Sequence, residues 1–323
     1  MLVLGAGSAG NRHARNLDAA GAKVSVADPC ASRTQSARQG KRVPFDLAHL
    51  VGYDGVVVAT PPSAHLNQVL AALETGAKVF VESPLSTSAL DTEAVLVAGE
   101  RVMVDHHLRF HPPVARMVTM AAEGRAGRIT CVRSWFGSYL PDRRPTMDYR
   151  ETSSARAALG GGALLDAIND LDLLTWILGD GLEVLASQVV RLGDLDLDVE
   201  DTVVAMLRHR SGTLADVSYD YLSRRYRRGL EVIGTDATLR LDWSREVIEV
   251  EEAGETQVEP AIDSLAYSHE RQSQRFVEWI RGDALPPVSL TESLVSLRLA
   301  DQIREAATVD PPRRVYAGTP SGR

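Results

Sequence analysis

The chain has 323 residues, enough for two domains of ordinary size, and its 44% apolar and 24% charged residues give the balance of a folded protein, not a disordered one. A net charge of −8 argues against a general nucleic-acid binder, which carries a basic domain or stripe, and favours small-molecule chemistry. Only Cys30 and Cys131 occur, so neither a disulfide framework nor a four-cysteine zinc site is available, and a reducing, cytoplasmic setting fits.

Met1 leads straight into Leu2-Val3-Leu4-Gly5 with no signal-peptide pattern, and no apolar run approaches the roughly 18 residues of a membrane span. That first strand is unusually short, so the reading at this end is of a chain that starts a few residues late. Up to about Phe110, short apolar runs (Leu2–Leu4, Val24–Ala27, Val56–Ala59, Val79–Val81, Val102–Val104) alternate with helical stretches near Gly10–Ala20, His65–Thr75 and Ser88–Ala98. Gly21, Gly76 and Gly99 follow those helices as capping glycines. This is the pattern of α/β structure, a doubly wound parallel sheet with crossover helices.

Beyond Pro112 the signal changes. One helix near Pro113–Glu123 precedes longer strands at Ile129–Ser138, Val184–Leu192, Thr202–His209 and Thr213–Tyr221, with paired strands near Gly229–Ile233 and Thr238–Trp243. Helices near Ser268–Arg281 and Thr291–Ala307 close the pattern, which is that of an α+β domain with a mostly antiparallel open sheet. The division reads as residues 1–111 and 112–323, with no internal repeat.

The strongest motif is Gly5-Ala6-Gly7-Ser8-Ala9-Gly10, set between a strand and a helix as in a Rossmann dinucleotide site. Gly5 permits the tight turn, Gly7 lets the backbone approach a pyrophosphate, Gly10 allows close helix packing, and the N–H groups from Ser8 and Ala9 onward face the phosphates. Asp28 ends the second strand, where a carboxylate accepts from both ribose hydroxyls and repels a 2′-phosphate, so NAD is favoured over NADP. Arg33, five residues on, reads as a solvated loop arginine. Ala59-Thr60-Pro61-Pro62-Ser63-Ala64-His65 lies at the carboxyl edge of the sheet, with Thr60 and Pro61 facing the cofactor. His65 stands in the same segment, and the start of a helix accounts for it better than catalysis does.

These segments, with Asn11-Arg12-His13, Val81-Glu82-Ser83-Pro84-Leu85, Leu108-Arg109-Phe110-His111-Pro112 and Gly160-Gly161-Gly162-Ala163-Leu164-Leu165-Asp166, resemble the Gfo/Idh/MocA family of oxidoreductases over nearly the whole chain. The stretch from Tyr139 through Asp148-Tyr149-Arg150 to Ala155 is similar to a branch associated with sugar and nucleotide-sugar metabolism. The resemblance implies hydride transfer between nicotinamide and a sugar or cyclitol carbon, and a homodimer or homotetramer built through the C-terminal sheet. It adds Glu82, Ser83 and Arg109 to the cofactor-binding set. It also implies a lysine and a histidine for proton transfer, at positions where this chain has Ser83 and Asn169.

A general base works best with a pKa near the operating pH, and neither serine nor an asparagine amide titrates there. On a helix predicted over Leu164–Leu178, Asp166, Asn169 and Asp170 share one face, and two carboxylates that close raise the pKa of one of them. Asp170 is the leading substitute acid/base, with Asp166 as its orienter, against the alternative that both only solvate the helix or cap the preceding loop. Tyr149 and His107 are weaker substitutes. Arginines at 143, 144, 150 and 156 and at 224, 225, 227 and 228 suit an acidic or nucleotide-linked sugar, or pair with surface carboxylates. No spacing reads as a metal site. Three readings follow: an NAD-dependent oxidoreductase on a sugar-like substrate, an enzyme using tightly held NAD in a redox-neutral reaction, and a catalytically silent NAD binder.

Overall fold

The computed structural model describes residues 1–37, 39–261, 265–286 and 288–307. Strands β1 (Leu2–Leu4), β2 (Ser25–Ala27), β3 (Lys41–Arg42), β4 (Gly55–Val58), β5 (Lys78–Val81) and β6 (Val102–Val104) form a parallel sheet in the order β3-β2-β1-β4-β5-β6. Its inner strands are buried on both faces, Val56 to Val58 and Val79 to Val81 without exception, which is why they read as unbroken apolar runs. The crossover helices are α1 (Ser8–Ala19), α2 (Ala31–Ser36), α3 (Pro62–Glu74) and α4 (Glu93–Leu96). The winding reverses between β1 and β4, and a crevice opens there at the carboxyl ends of the strands.

Two expectations need correction here. The helix expected over Ser88–Ala98 shrinks to α4, because the Ser88 hydroxyl and the Ala89 N–H both donate to Asp301 while Thr92 bonds the Ala89 carbonyl, holding the chain in a non-helical path. Gly99 accordingly opens a short 3-10 turn, whereas Gly21 and Gly76 take the left-handed conformation of capping residues.

In the second half, β7 (Ile129–Gly137), β8 (Leu182–Val190), β9 (Thr202–His209), β10 (Leu214–Asp220), β11 (Arg227–Gly234), β12 (Ala237–Asp242), β13 (Val247–Glu252) and β14 (Glu255–Pro260) form a sheet in the order β14-β13-β12-β11-β7-β10-β9-β8. Among the described strands of this sheet, β7 and β10 are the parallel pair. Along β9, Val203, Ala205 and Leu207 are buried while Val204, Met206 and Arg208 are exposed, the alternation of a sheet covered on one face. Helices α5 (Pro112–Ala122), α6 (Ala163–Asp166), α7 (Ile168–Leu178) and α9 (Leu290–Glu305) lie with that sheet, and α9 opens on a capping box between Ser289 and Glu292. Helix α8 (Leu265–Arg281) returns to the first sheet, where Phe276, Val277 and Trp279 join Val3, Val57 and Phe80 in one apolar cluster. Fully burying a side chain such as Phe276 contributes about 1.5–3 kcal/mol.

The helix expected over Leu164–Leu178 breaks at Ala167 (φ −95°, ψ 16°), which separates Asp166 on α6 from Asp170 on α7. Helix α7 is held by two buried ion pairs. Arg109, after β6, forks onto Asp172 through Nε and Nη2, each at 2.8 Å, and lies over the Trp176 ring. Arg228, on β11, forks onto Asp170 at 2.8 and 2.9 Å.

Burial pushes the Asp172 carboxyl upward, but His106 and the Arg109 fork outweigh it and hold the group well below the usual carboxylate range. A depressed folded pKa means that the stabilisation is fully present above about pH 4 and is lost as pH falls towards the folded value. Asp172→Asn, which leaves Arg109 with only the more exposed Glu292 at 3.5 Å among the described residues, is expected to cost about 3 kcal/mol at neutral pH, and Asp170→Asn about 3–5 kcal/mol through Arg228. Thermal unfolding from pH 7 to pH 3 checks this: the gap between wild type and Asp172→Asn should narrow below about pH 4.

Candidate active site

The glycine loop is built by close approach. Gly5 has φ +99°, and a Cβ there would lie 2.4 Å from the Ala59 carbonyl oxygen; a Cβ at Gly10 would lie 1.8 Å from the carbonyl oxygen of Gly5. Both positions therefore require glycine, while Gly7 faces open space on the side a ligand would approach. No side chain caps α1, so the N–H groups of its first turn, from Ser8 and Ala9, remain available to an anion. Asp28 is 7% exposed and lies against this loop, accepting from the Ala6 N–H at 2.7 Å and the Cys30 N–H at 2.8 Å. This cradle and carboxylate fit the pyrophosphate and ribose of a dinucleotide.

Next to it is a cleft of about 300 Å³ between the two halves of the chain. One wall comes from the sheet edge and α1, with Ala9, Arg12, Thr60, His65, Glu82 and Ser83. The other comes from the second half, with Leu140, Arg143, Arg144, Tyr149, the segment 152–154 and Asp166. Thr60 donates to Gln68 Oε1 at 2.8 Å. His65 sets one ring nitrogen against the Pro84 carbonyl at 2.8 Å and the other against the Thr60 carbonyl at 2.7 Å, which ties together the two loops that edge the cleft. Burial pushes its imidazole pKa down, so the ring is neutral, donates to one of the two carbonyls and packs against the other, a structural role rather than a proton carrier's.

The residues singled out for catalysis separate. Ser83 and Asn169, 86 positions apart in sequence, meet directly: Asn169 Nδ2 donates to Ser83 Oγ at 2.8 Å. Asp166 lines the cleft and accepts from Arg143 Nη1 at 2.7 Å. Asp170, expected beside it, points elsewhere into the Arg228 fork, because the break at Ala167 turns the two carboxylates apart. Arg109, expected at the cofactor, is likewise committed to Asp172 and is not among the residues lining the cleft. Tyr149 lines the cleft, and its hydroxyl accepts from the Asp196 N–H at 3.0 Å.

His107 is not a lining residue: its ring stacks on His269 at 4.2 Å and its Nδ1 lies 3.3 Å from Asp105. Burial and the facing His107 push the His269 imidazole pKa down to about 2. Asp105, despite burial, is held well below the carboxylate range by His107 and His269. Among the described residues, two groupings, Asp105 with His107 and His269, and His13 with Glu82 and Asp105, bring ligand-type atoms within 4.8 Å of one another, a convergence that no local spacing signals. Glu82 lines the cleft and joins that network, accepting from Arg12 Nη2 at 2.5 Å with His13 Nε2 at 2.6 Å. Sequence reasoning missed Arg12 as a site residue, although its place two residues after Gly10, in the helix that begins at the loop, was a usable signal.

Residues 1–106 match the family described as "Oxidoreductase family, NAD-binding Rossmann fold", and residues 114–240 match the GFO/IDH/MocA C-terminal domain. Inositol 2-dehydrogenase 3 of Saccharopolyspora erythraea is 30% identical over 258 residues, covering 74% of this chain and 72% of that protein. The chain belongs to the Gfo/Idh/MocA family. A further relative, 1,5-anhydro-D-fructose reductase of Ensifer adhaerens, is 31% identical over 208 residues, 62% of this chain and 61% of that protein's length. In three dimensions the Gfo/Idh/MocA fold is shared with the WlbA dehydrogenase of Bordetella pertussis, solved with NADH and UDP-GlcNAcA (TM-score 0.80, 23% identity, 95% and 94% of the two chains).

Gly10→Ala forces a carbon against the Gly5 carbonyl. The expected outcome is a stability loss of about 1–3 kcal/mol and loss of the rise in melting temperature that NAD gives the wild type, read by thermal shift with and without NAD.

Proposed function

We propose that this protein is an NAD-dependent oxidoreductase that moves a hydride between the nicotinamide and a carbon of a sugar-like, nucleotide-sugar or cyclitol substrate, with a proton relay that differs from the family's usual one. The observation that carries this reading is the cleft itself, where the edge of the dinucleotide sheet faces a wall rich in hydroxyl and guanidinium groups. The similarity to an inositol dehydrogenase and an anhydrofructose reductase supports a polyhydroxylated substrate.

Bound NAD supplies or accepts the hydride. The loop Gly5–Gly10 and the start of α1 hold its pyrophosphate, Asp28 receives the ribose hydroxyls and disfavours NADP, and Thr60, Pro61 and Glu82 edge the nicotinamide end. Ser83 and Asn169 stand where the resemblance implies lysine and histidine. Because Asn169 donates into Ser83 Oγ, the serine keeps its own O–H for a substrate oxygen, polarising a carbonyl or holding the alcohol formed from it. Asp166, oriented by Arg143, is the carboxylate on the second wall that exchanges a proton with the substrate, in place of Asp170.

The exposed side chains Val204, Met206 and Leu214 on the open sheet face support a homodimer or homotetramer formed there, and the unpaired cysteines fit a cytoplasmic setting. Among the described residues no helix is long and apolar enough to cross a membrane.

A panel of sugars, nucleotide sugars and cyclitols tests the reading: one of them should change NADH absorbance with the wild-type protein. Turnover with no net NADH change points instead to redox-neutral use of NAD, and silence across the panel while NAD still raises the melting temperature points to a non-catalytic binder. Ser83→Ala should lower turnover about 10²-fold with little change in stability. The double variant Ser83→Lys with Asn169→His should retain or raise dehydrogenase activity if the cleft is otherwise competent; complete loss in a folded, NAD-binding variant counts against the assignment.

A further inference from the structure

We infer that the substrate carries a carboxylate or phosphate group, read by Arg143 and Arg144 on the second-domain wall. This deepens the proposed function and rests on the cleft being the substrate site.

Of the eight clustered arginines, most are already committed. Arg150 forks onto Asp148 and Arg228 onto Asp170, Arg227 donates through Nη2 to Asp220, Arg156 donates to the Arg150 carbonyl, and Arg224 lies 3.7 Å from the centre of the Tyr139 ring. Arg143 and Arg144 are the members of the set that line the cleft. Arg143 gives Nε to Ser138 and Nη1 to Asp166, and its Nη2 has no partner among the described residues. Arg144 is exposed and forms no ion pair among the described residues.

The local charge therefore does not cancel. Arg12 is balanced by Glu82 and Arg143 by Asp166, which leaves the Arg144 guanidinium in excess within a chain whose net charge is −8. The Arg144 guanidinium, unbalanced beside the Arg143–Asp166 pair, attracts an anion into the cleft. The forked donors of arginine match carboxylate and phosphate oxygens two at a time, which a neutral sugar hydroxyl cannot reproduce. The hydroxyls of Ser153 and Ser154, on the same wall, supply further donors. The cofactor's own phosphates do not account for this charge, because the glycine loop and the start of α1 already provide their cradle.

Binding calorimetry on the full chain saturated with NAD tests the inference without relying on turnover, with D-glucose, D-glucuronate, UDP-glucose and UDP-glucuronate as probes. At least one charged probe is expected to bind about tenfold or more tightly than D-glucose, a difference that shrinks as salt is added. The glucuronate arm reports a carboxylate and the UDP-glucose arm a phosphate. Arg144→Ala should weaken the charged probe about tenfold, leave D-glucose and NAD affinity unchanged, and be partly rescued by Arg144→Lys.

Equal binding of charged and neutral probes, no binding of any charged probe, or an Arg144→Ala effect on NAD rather than on the probe would each overturn it. Tight binding of a charged probe with no NADH change would reject the hydride-transfer reading while leaving this inference standing.

Discussion

The arrangement of the site depends on how helix α7 is pinned. Asp170 and Asp172 are two residues apart on it and so point to opposite sides, one into Arg228 from the antiparallel sheet and the other into Arg109 from the end of the dinucleotide sheet. Each pair is buried, so its net contribution to stability is small, yet removing either partner would strand a charge away from water. What the two forks supply is orientation: with both engaged, Asn169 on the same helix meets Ser83 at hydrogen-bond distance across the two halves of the chain. Asp170, the leading acid/base candidate in the sequence, is thus, with Asp172, a fastener of the helix that carries the site.

The same use of paired charge continues beneath the cleft. Arg12, His13, Glu82, Asp105, His107 and His269 form a partly buried network where α1, α8 and the ends of β5 and β6 come together. Burial and the facing His107 keep the His269 imidazole neutral, and His107 holds the buried Asp105 carboxyl well below the usual carboxylate range. His65, between the Thr60 and Pro84 carbonyls, fixes the loop edges in the same way. The walls of the cleft are in this sense rigid, a condition for holding a substrate carbon against a nicotinamide.

The sequence by itself determined the buried strands of the first sheet, the glycine loop with Asp28 at the next strand's end, and the one-sided strands of the second sheet up to Trp243. These follow from local rules: unbroken apolar runs where both faces are covered, alternation where one is, and glycine wherever a Cβ would collide with backbone. The hairpin β13–β14 and the edge strand β3 were not legible, since charged and exposed residues such as Lys41, Glu251 and Glu255 carry no burial signal until a neighbouring strand is in place.

The candidate catalytic set was readable as residue types but not as partners. Tertiary structure alone decided that Asp166 faces the cleft and Asp170 does not, because the break at Ala167 and the fork from Arg228 lie outside the helical periodicity that grouped them. It also decided which of eight arginines face the cleft, since counter-ions such as Asp220 and Asp170 arrive from other strands and helices. Charge pairing at a distance depends on position in space, and a sequence gives position only where a local repeat enforces it.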